Sequence, residues 1–268
     1  MVNLSPEKIK QFQEKIFSWW KENKRELPWR KTKNPYHIMI AEVMLQQTQV
    51  SRVIDKYKEF LEEFPTLSEL ANASTAHVLK VWSGLGYNRR ALWLLEAAKK
   101  IKEKETFPTT IKELRNLKGI GSYTSRSILI FAFNQSIVTI DTNIRRILIA
   151  EGFADEDMSE KELLIIAKDL LPRGRSRDWH NALMDYGSLV KTSANTGVKP
   201  SSNQKKYQGS DREYRGKIVK YLTQKSSLTK KELLKNCKIP KNKIDVVLAS
   251  LIKDGLIHKK NQKYMLPE

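Results

Sequence analysis

Apolar residues recur at the spacing of an α-helix along almost the whole chain. Ile9, Phe12 and Ile16 give one example near the start. Alternating strand-like runs are scarce, and Pro, Gly and Asn separate many short helical patterns. This periodicity predicts an all-α fold of many short helices over about the first 191 residues. At 268 residues the chain is long enough for one larger domain with its own core and a small second one.

A break in composition marks where the second domain begins. Residues 192–210 are polar and nearly free of large apolar groups, which predicts a linker. The sequence therefore divides into a domain over 1–191, the linker 192–210 and a small domain over 211–268.

The small domain has its own apolar pattern. It predicts a helix around Ile218, a second helix capped by Thr229 with Glu232 as a capping box, and a third around Val247. Residues 254–258 and 264–266 are predicted as two short strands. Three helices and a hairpin predict a winged helix, whose third helix normally enters a DNA groove, although such domains also bind proteins.

The charge balance predicts an acidic partner. The chain has 49 Lys and Arg against 30 Asp and Glu, a net charge of +19, and residues 211–268 contribute 15 against 6. Nucleic acid is the expected partner ahead of a membrane surface. We expect a cytoplasmic, nucleoid-associated protein, because the sequence lacks an apolar run of 18 residues and a signal-peptide block. We also expect it to be a monomer. Cys237 is the only cysteine, which excludes an internal disulfide and a cysteine-ligated metal site.

A glycine turn at Leu117–Thr124 is the first candidate binding site. Gly119 and Gly121 bracket one apolar residue, so backbone N–H groups can approach an anion closely, and a following helix N-terminus adds favourable partial charge. A DNA phosphate is the expected anion in so basic a chain. A simple turn between helices is the alternative.

Glu42 is the first candidate for chemistry. Helical spacing places it on the same face as Ile38, Ala41 and Leu45, and an apolar environment favours the protonated form of a carboxyl group. That form is what a general acid needs. The alternative is a carboxylate that escapes to the edge of the apolar stripe or pairs with an arginine.

Asp141 is the second candidate, 20 residues after Gly121. It follows an apolar run and precedes a helical pattern, so it is also an ideal N-cap. A capped, hydrogen-bonded aspartate is expected to stay ionised and could stabilise a developing positive charge. An acid in an apolar setting together with an ionised carboxylate is the pair that cleaves glycosidic bonds. Their spatial relation is left open by these patterns.

Taken together, these residues resemble the helix–hairpin–helix (HhH-GPD) DNA glycosylases, and within them the MutY-type adenine glycosylases. The ordered matches are Leu27–Arg30, Pro35-Tyr36, Ala41–Val50, Phe64-Pro65, Trp82–Tyr87, Leu117–Thr124, Asp141–Arg146 and Leu183–Gly187. The resemblance implies a two-lobed all-α fold with a helix–hairpin–helix at about 111–128. It also implies base excision repair, in which a mispaired base is flipped out of duplex DNA and removed.

The resemblance further implies residue roles. Glu42 would protonate the departing base, and Asp141 would stabilise or trap the sugar cation. Tyr123 would stack near the target base; strand-cutting relatives place a lysine there, so the enzyme is expected to be monofunctional. Gln47 and Tyr87 would wedge into the base stack, with ordinary packing as the alternative. The implied DNA-binding residues are Gly119, Gly121, Ser122, Thr124, Gln47, Thr48, Tyr87, Arg30, Arg89, Asn143 and Arg145.

Some departures from the family bear on cofactor and substrate. Relatives often place four cysteines of an iron–sulfur cluster at positions that here hold Lys191, Val198, Ser201 and Tyr207, so no cofactor is expected. The C-terminal domain that helps MutY enzymes recognise 8-oxoguanine is missing, and the usual second tyrosine after Gly86-Tyr87 is absent. Adenine opposite 8-oxoguanine or guanine is the expected substrate. A thymine or uracil mismatch, and a non-catalytic DNA-binding protein with this fold, are the alternatives.

Overall fold

The structure is a computed structural model that describes residues 4–199 and 206–268. Its residues group into two compact units, one formed by 4–39, 109–115 and 120–199 and the other by 40–108, 116–119 and 206–268. The mostly helical fold is confirmed. The predicted linker is in part outside the described residues, and a short helix lies within its first few residues.

The first unit is entirely helical apart from its connections. Its elements are α1 (Pro6–Asn23), a 3-10 turn (Pro28–Arg30), the start of α2 (Pro35–Leu45), α7 (Ile111–Arg115), α8 (Ser122–Phe133), α9 (Thr142–Ala150), α10 (Glu160–Asp169), α11 (Ser176–Leu189) and α12 (Ser193–Thr196). Its core joins α1, α9, α10 and α11, and the rings of Phe12, Phe153 and Trp179 pack edge to face at its centre. Burial of these aromatic rings is a large part of what holds α1 against α11.

The second unit contains the rest of α2 and the helices that follow it. Its helices before the tail are α3 (Val50–Glu63), α4 (Leu67–Asn72), α5 (Thr75–Trp82) and α6 (Arg89–Glu103). Thr66 and Ser74 begin α4 and α5, and each side chain accepts a hydrogen bond from a backbone N–H of the first turn. Phe60 and Trp82 are fully buried and pack at 6.0 Å between ring centroids.

The tail, residues 206–268, packs within the second unit. Its elements are α13 (Asp211–Gln224), β1 (Leu228–Thr229), α14 (Lys230–Cys237), α15 (Ile244–Lys253), β2 (His258–Lys260) and β3 (Lys263–Met265). The strands form an antiparallel sheet in the order β1-β3-β2. This order of elements agrees with the predicted winged helix, and the Thr229–Glu232 capping box is confirmed.

One predicted strand of the tail is wrong in its bounds. Residues 254–258 were expected to form a strand, but β2 begins only at His258. Gly255 has φ +70, and the N–H groups of Gly255 and Leu256 donate to carbonyls in the last turn of α15. A left-handed glycine with this bonding ends a helix, so these residues form a helix cap first.

Candidate active site and DNA-binding surface

Glu42 lies on α2, a helix that is buried on nearly every side. Every residue from Ile38 to Met44 is buried, and Glu42 itself is 6% exposed. The helix therefore has no solvent-facing side onto which the carboxyl group could turn. The alternative in which Glu42 escapes to the edge of the apolar stripe is wrong. Burial removes the water that would otherwise hydrate the anionic form.

Asp141 is the N-cap of α9, as predicted. Its Oδ1 accepts the Ile144 N–H at 2.7 Å, and its Oδ2 accepts the Asn143 side-chain amide at 2.9 Å. Burial raises the pKa of Asp141 above its ordinary value of 3.8, whereas these hydrogen bonds and nearby Arg146 lower it. The net shift in the pKa of Asp141 is upward, which its position as an N-cap did not predict. Desolvation outweighs the hydrogen bonds.

A buried arginine holds Asn143, and thereby Asp141, in place. Arg146 donates to the Asn143 side-chain oxygen at 2.7 Å and to the Gly187 carbonyl at 2.9 Å. A Cβ at Gly187 would lie 2.6 Å from the Cβ of Asn143, so only glycine lets α11 approach α9 this closely. Both side-chain groups of Asn143 are engaged within the protein. This placement supports a positioning role for Asn143 and gives no support to its predicted DNA contact.

The two glycines of the glycine turn have different structural roles. Gly119 has φ +81, and a Cβ there would lie 2.8 Å from the Trp93 ring, so the position requires glycine on both counts. The Gln46 side-chain amide donates to the Gly119 carbonyl at 3.1 Å. Gly121 is exposed, has an ordinary φ of −88 and meets nothing within 4 Å. It is the N-cap of α8, whose first N–H groups have no partner in the helix itself.

The two predicted wedge residues share an unusual backbone. Gln47 has φ 55 and Tyr87 has φ 48, a left-handed conformation that costs a non-glycine residue free energy. Gln47 is exposed and Tyr87 partly so. Backbone strain at accessible residues in tight turns is typical of binding sites, where neighbouring structure must maintain it.

Arg90 is the residue that maintains both turns, and sequence reasoning did not assign it a role. Its Nη1 donates to the carbonyls of Val43, Met44 and Gln46 at 2.7–2.8 Å. Its Nη2 donates to Thr48 Oγ1 at 3.0 Å and to the Gly86 carbonyl at 3.2 Å. These bonds fix the end of α2 and the turn before α6 around one guanidinium group. Burial lowers the pKa of Arg90 to about 10, which still leaves it charged at neutral pH.

Other predicted DNA contacts are occupied within the protein. Arg30 forms a two-point ion pair with Asp185, at 2.7 and 2.9 Å. Arg145 donates to the carbonyls of Lys199 and Glu156. Arg30 is 13% exposed in its side chain, so it belongs to the scaffold in this structure. These placements give no support to the DNA contacts predicted for these two arginines.

The remaining predicted residues differ in exposure. Arg89 is exposed and pairs with Asp254 at 2.7 Å. Ser122 and Tyr123 are partly exposed in the first turn of α8, whereas Thr124 is only 3% exposed. The turn therefore offers its backbone, Ser122 and Tyr123 to a ligand, and Thr124 is a packing residue.

Among residues 4–199 and 206–268, no group of three or more His, Cys, Asp and Glu is placed to hold a metal ion. In the same part of the chain, no helix is long and apolar enough to cross a membrane.

The segment of the chain that contains these features matches a family profile. Residues 40–173 match the profile of the HhH-GPD superfamily base excision DNA repair proteins. The chain belongs to this superfamily. The match contains Glu42, the glycine turn and Asp141, which were assigned on separate grounds.

Comparison with individual proteins agrees with this family assignment. Adenine DNA glycosylase of Mycolicibacterium smegmatis (strain ATCC 700084 / mc(2)155) is 34% identical over 266 residues, covering 90% of this chain and 91% of the relative. That coverage extends beyond residue 210 into the tail. A thermostable thymine-DNA glycosylase structure is 27% identical, with a TM-score of 0.65, covering 69% of this chain and 88% of its own. A non-covalent endonuclease III–DNA complex has a TM-score of 0.63 at 19% identity, covering 74% and 91%, and shows the likeness of fold.

Proposed function

We propose that this chain is a monofunctional DNA glycosylase that removes adenine mispaired with 8-oxoguanine or guanine in duplex DNA. The observation that carries the proposal is the similarity to the M. smegmatis adenine DNA glycosylase over nearly the full extent of both chains. The tail is partly included in that similarity.

Glu42 supplies the proton in the proposed reaction. Cleaving the N-glycosidic bond leaves an electron pair on the base, and protonation of a ring nitrogen turns the base into a neutral leaving group. Glu42 is the buried carboxyl group of α2, with little water around it. As the free enzyme recovers, a water molecule supplies the hydroxyl group that the sugar gains and the proton that Glu42 lost.

Asp141 acts on the sugar. As the bond to the base lengthens, positive charge develops on the deoxyribose, and a carboxylate stabilises that charge. The N–H donors of Ile144 and Asn143 orient the carboxylate and favour its ionised form. The pKa of Asp141 is raised above its ordinary value of 3.8. As the pH falls, protonation of Asp141 should therefore begin to weaken the stabilisation of the sugar cation at a pH above 3.8.

The glycine turn and the first turn of α8 would hold a DNA phosphate. Gly121 leaves the helix N-terminus open, and Ser122 adds a hydroxyl group. Tyr123 stands on the same turn, where strand-cutting relatives carry lysine. A phenol cannot form a Schiff base with the opened sugar, so the reaction ends at an abasic site.

We infer that the enzyme works without an iron–sulfur cluster, because the donor set does not fit one. Lys191 pairs with Glu151 at 3.0 Å, Val198 is a buried apolar residue, and Ser201 lies outside the described residues. Cys237 is in the tail, and burial raises its pKa to about 11, which disfavours the thiolate that binds metal. Arg146 instead ties the Lys191 carbonyl and Ser193 to α9.

Thymine opposite guanine is the second candidate substrate. The likeness to a thymine-DNA glycosylase structure supports it. That likeness covers less of this chain, at lower identity, than the likeness to the adenine enzyme, so adenine ranks first.

A panel of duplexes tests the proposal. The full chain is incubated with A, T, U or hypoxanthine opposite G or 8-oxoguanine, and each strand is analysed before and after hot alkali. We expect cleavage only after alkali, at adenine opposite 8-oxoguanine fastest and opposite guanine next. Cleavage at thymine or uracil alone would establish the second candidate, and cleavage without alkali would contradict the monofunctional assignment. No cleavage with any duplex would favour a non-catalytic DNA-binding protein.

A further inference from the structure

A cavity of about 800 Å³ lies inside the second unit, where α13 of the tail faces the turns that contain Gln47 and Tyr87. Seven Lys and Arg side chains line it against a single acid, Asp254. The cationic residues are Arg52, Arg89, Arg90, Arg212, Arg215, Lys217 and Lys220. A concave surface with this charge concentrates anions.

Four of these seven cations lie on α13. Asp254 is shared by Arg89 at 2.7 Å and Arg215 at 2.5 Å, so it offsets only part of the positive charge. Arg212, Lys217 and Lys220 add three further cations along the same helix. Lys217 is paired with Glu213 at 2.7 Å, but its own side chain is 40% exposed and remains accessible to a second anion.

The cavity also presents aromatic surface. The Arg212 guanidinium lies 5.3 Å from the ring centroids of both Tyr87 and Tyr207, and it donates to the Tyr87 hydroxyl at 2.5 Å. Gly216 faces the cavity from the middle of α13, where glycine is unfavourable for the helix but leaves space. Cations along a groove with exposed aromatic rings are the features that bind an unpaired nucleic-acid strand.

The third helix of the tail lacks this character. Lys253 is the only basic residue of α15, and Val246 and Ile252 are 63% and 41% exposed. A recognition helix in a DNA groove normally carries several cations or amides. The distribution of positive charge therefore favours α13 over α15 as the DNA-binding helix of the tail.

We propose that this cavity is a nucleotide site for the DNA strand opposite the excised base. Arg212, Lys217 and Lys220 would bind its phosphates, and Tyr87 and Tyr207 would flank its unstacked base. The tail then takes part in DNA binding through its first helix. The assignment of the bound strand as the one opposite the excised base rests on the proposed function. The nucleotide site itself does not.

The test measures binding by the full chain to a duplex with a tetrahydrofuran abasic analogue opposite 8-oxoguanine, at several salt concentrations. This duplex has no base to release, so the result does not depend on catalysis. The α13 variant Arg212→Gln/Lys217→Gln/Lys220→Gln is compared with a matched hairpin variant, Lys259→Gln/Lys260→Gln/Lys263→Gln. We expect the α13 variant to bind about 10- to 100-fold more weakly near 0.15 M salt, with a salt slope smaller by about 2 to 3. The hairpin variant should bind within about twofold of the wild type.

The variant Gly216→Leu tests whether DNA enters the cavity, independently of the positive charge around it. Leucine is a better helix former than glycine and removes no cation, but its side chain would project into the cavity. We expect about tenfold weaker binding with an unchanged melting temperature. Unchanged binding by the α13 variant, equal losses in the α13 and hairpin variants, or unchanged binding by Gly216→Leu would each overturn the proposal. A chain that binds as expected but excises nothing would reject the proposed function alone.

Discussion

Glu42→Gln slows release of the base by about 10²- to 10⁴-fold in single-turnover assays and leaves DNA affinity within about twofold of the wild type. Glutamine keeps the size and hydrogen bonding of the side chain but has no proton of suitable acidity to give the leaving base. Because Glu42 sits among the buried residues of α2, water has little access to substitute for it. The measurement is the rate of alkali-sensitive cleavage on a duplex with adenine opposite 8-oxoguanine, with enzyme in excess.

Glu62→Gln is the matched control. Glu62 is an exposed residue of α3 in the same unit, so this substitution changes the same chemical group without touching α2. It should leave both rate and affinity unchanged. If Glu42→Gln retains the wild-type rate, the assignment of the general acid is wrong, even if the protein proves to be a glycosylase.

The second large effect is on stability. Asp185→Ala should reduce the free energy of unfolding by about 3 to 5 kcal/mol, because Asp185 is fully buried and neutralises two arginines. Its two oxygens accept from Trp20 Nε1, from the backbone N–H and Nε of Arg25, and from both terminal nitrogens of Arg30. Removing the carboxylate leaves two guanidinium groups partly buried without their anion. Urea unfolding of the full chain, followed by tryptophan fluorescence, measures the loss.

The pH dependence of this effect has a definite sign. Burial alone would raise the pKa of Asp185, but Arg30 and Arg25 hold it below its ordinary value of 3.8. A lowered pKa in the folded state adds stability that is present above about pH 4 and is lost as the pH falls further. The difference in the free energy of unfolding between the wild type and Asp185→Ala should therefore become smaller below pH 4.

Asp178→Ala is the control for Asp185. Asp178 lies on the same helix and pairs with Arg175 at 3.4 Å, but both side chains are about half exposed. An exposed pair of this kind contributes about 0 to 1 kcal/mol. Equal destabilisation by the two substitutions would show that burial of the Asp185 cluster does not matter.

Local patterns predicted the parts of this fold that depend on neighbours in sequence. The capping box at Thr229 and the N-cap at Asp141 follow from the side chain's own backbone, a few residues away. Each of these two features is decided within one or two helical turns. The apolar residues around Glu42 on α2 indicated an apolar environment, but they left open whether its carboxyl group reaches the edge of the apolar stripe.

Features decided by distant residues were not predictable. Arg90 binds carbonyls more than 40 residues earlier in the chain, and Arg25 and Arg30 meet Asp185 more than 150 residues later. The ion pair of Arg30 with Asp185 was therefore not predicted, and Arg30 was assigned to DNA binding instead. The upward shift in the pKa of Asp141 was not predictable for the same reason, since the burial that raises it comes from the packed fold.

In the proposed mechanism, Asp141 stabilises positive charge on the sugar of the target nucleoside after Glu42 protonates the base. The most direct measurement is the affinity for a duplex whose target nucleoside is replaced by a pyrrolidine, which carries positive charge at the sugar position. We expect binding at least about 100-fold tighter than to the neutral tetrahydrofuran duplex, and loss of most of that preference in Asp141→Asn. Equal affinity of the wild type for the charged and neutral duplexes would contradict the account.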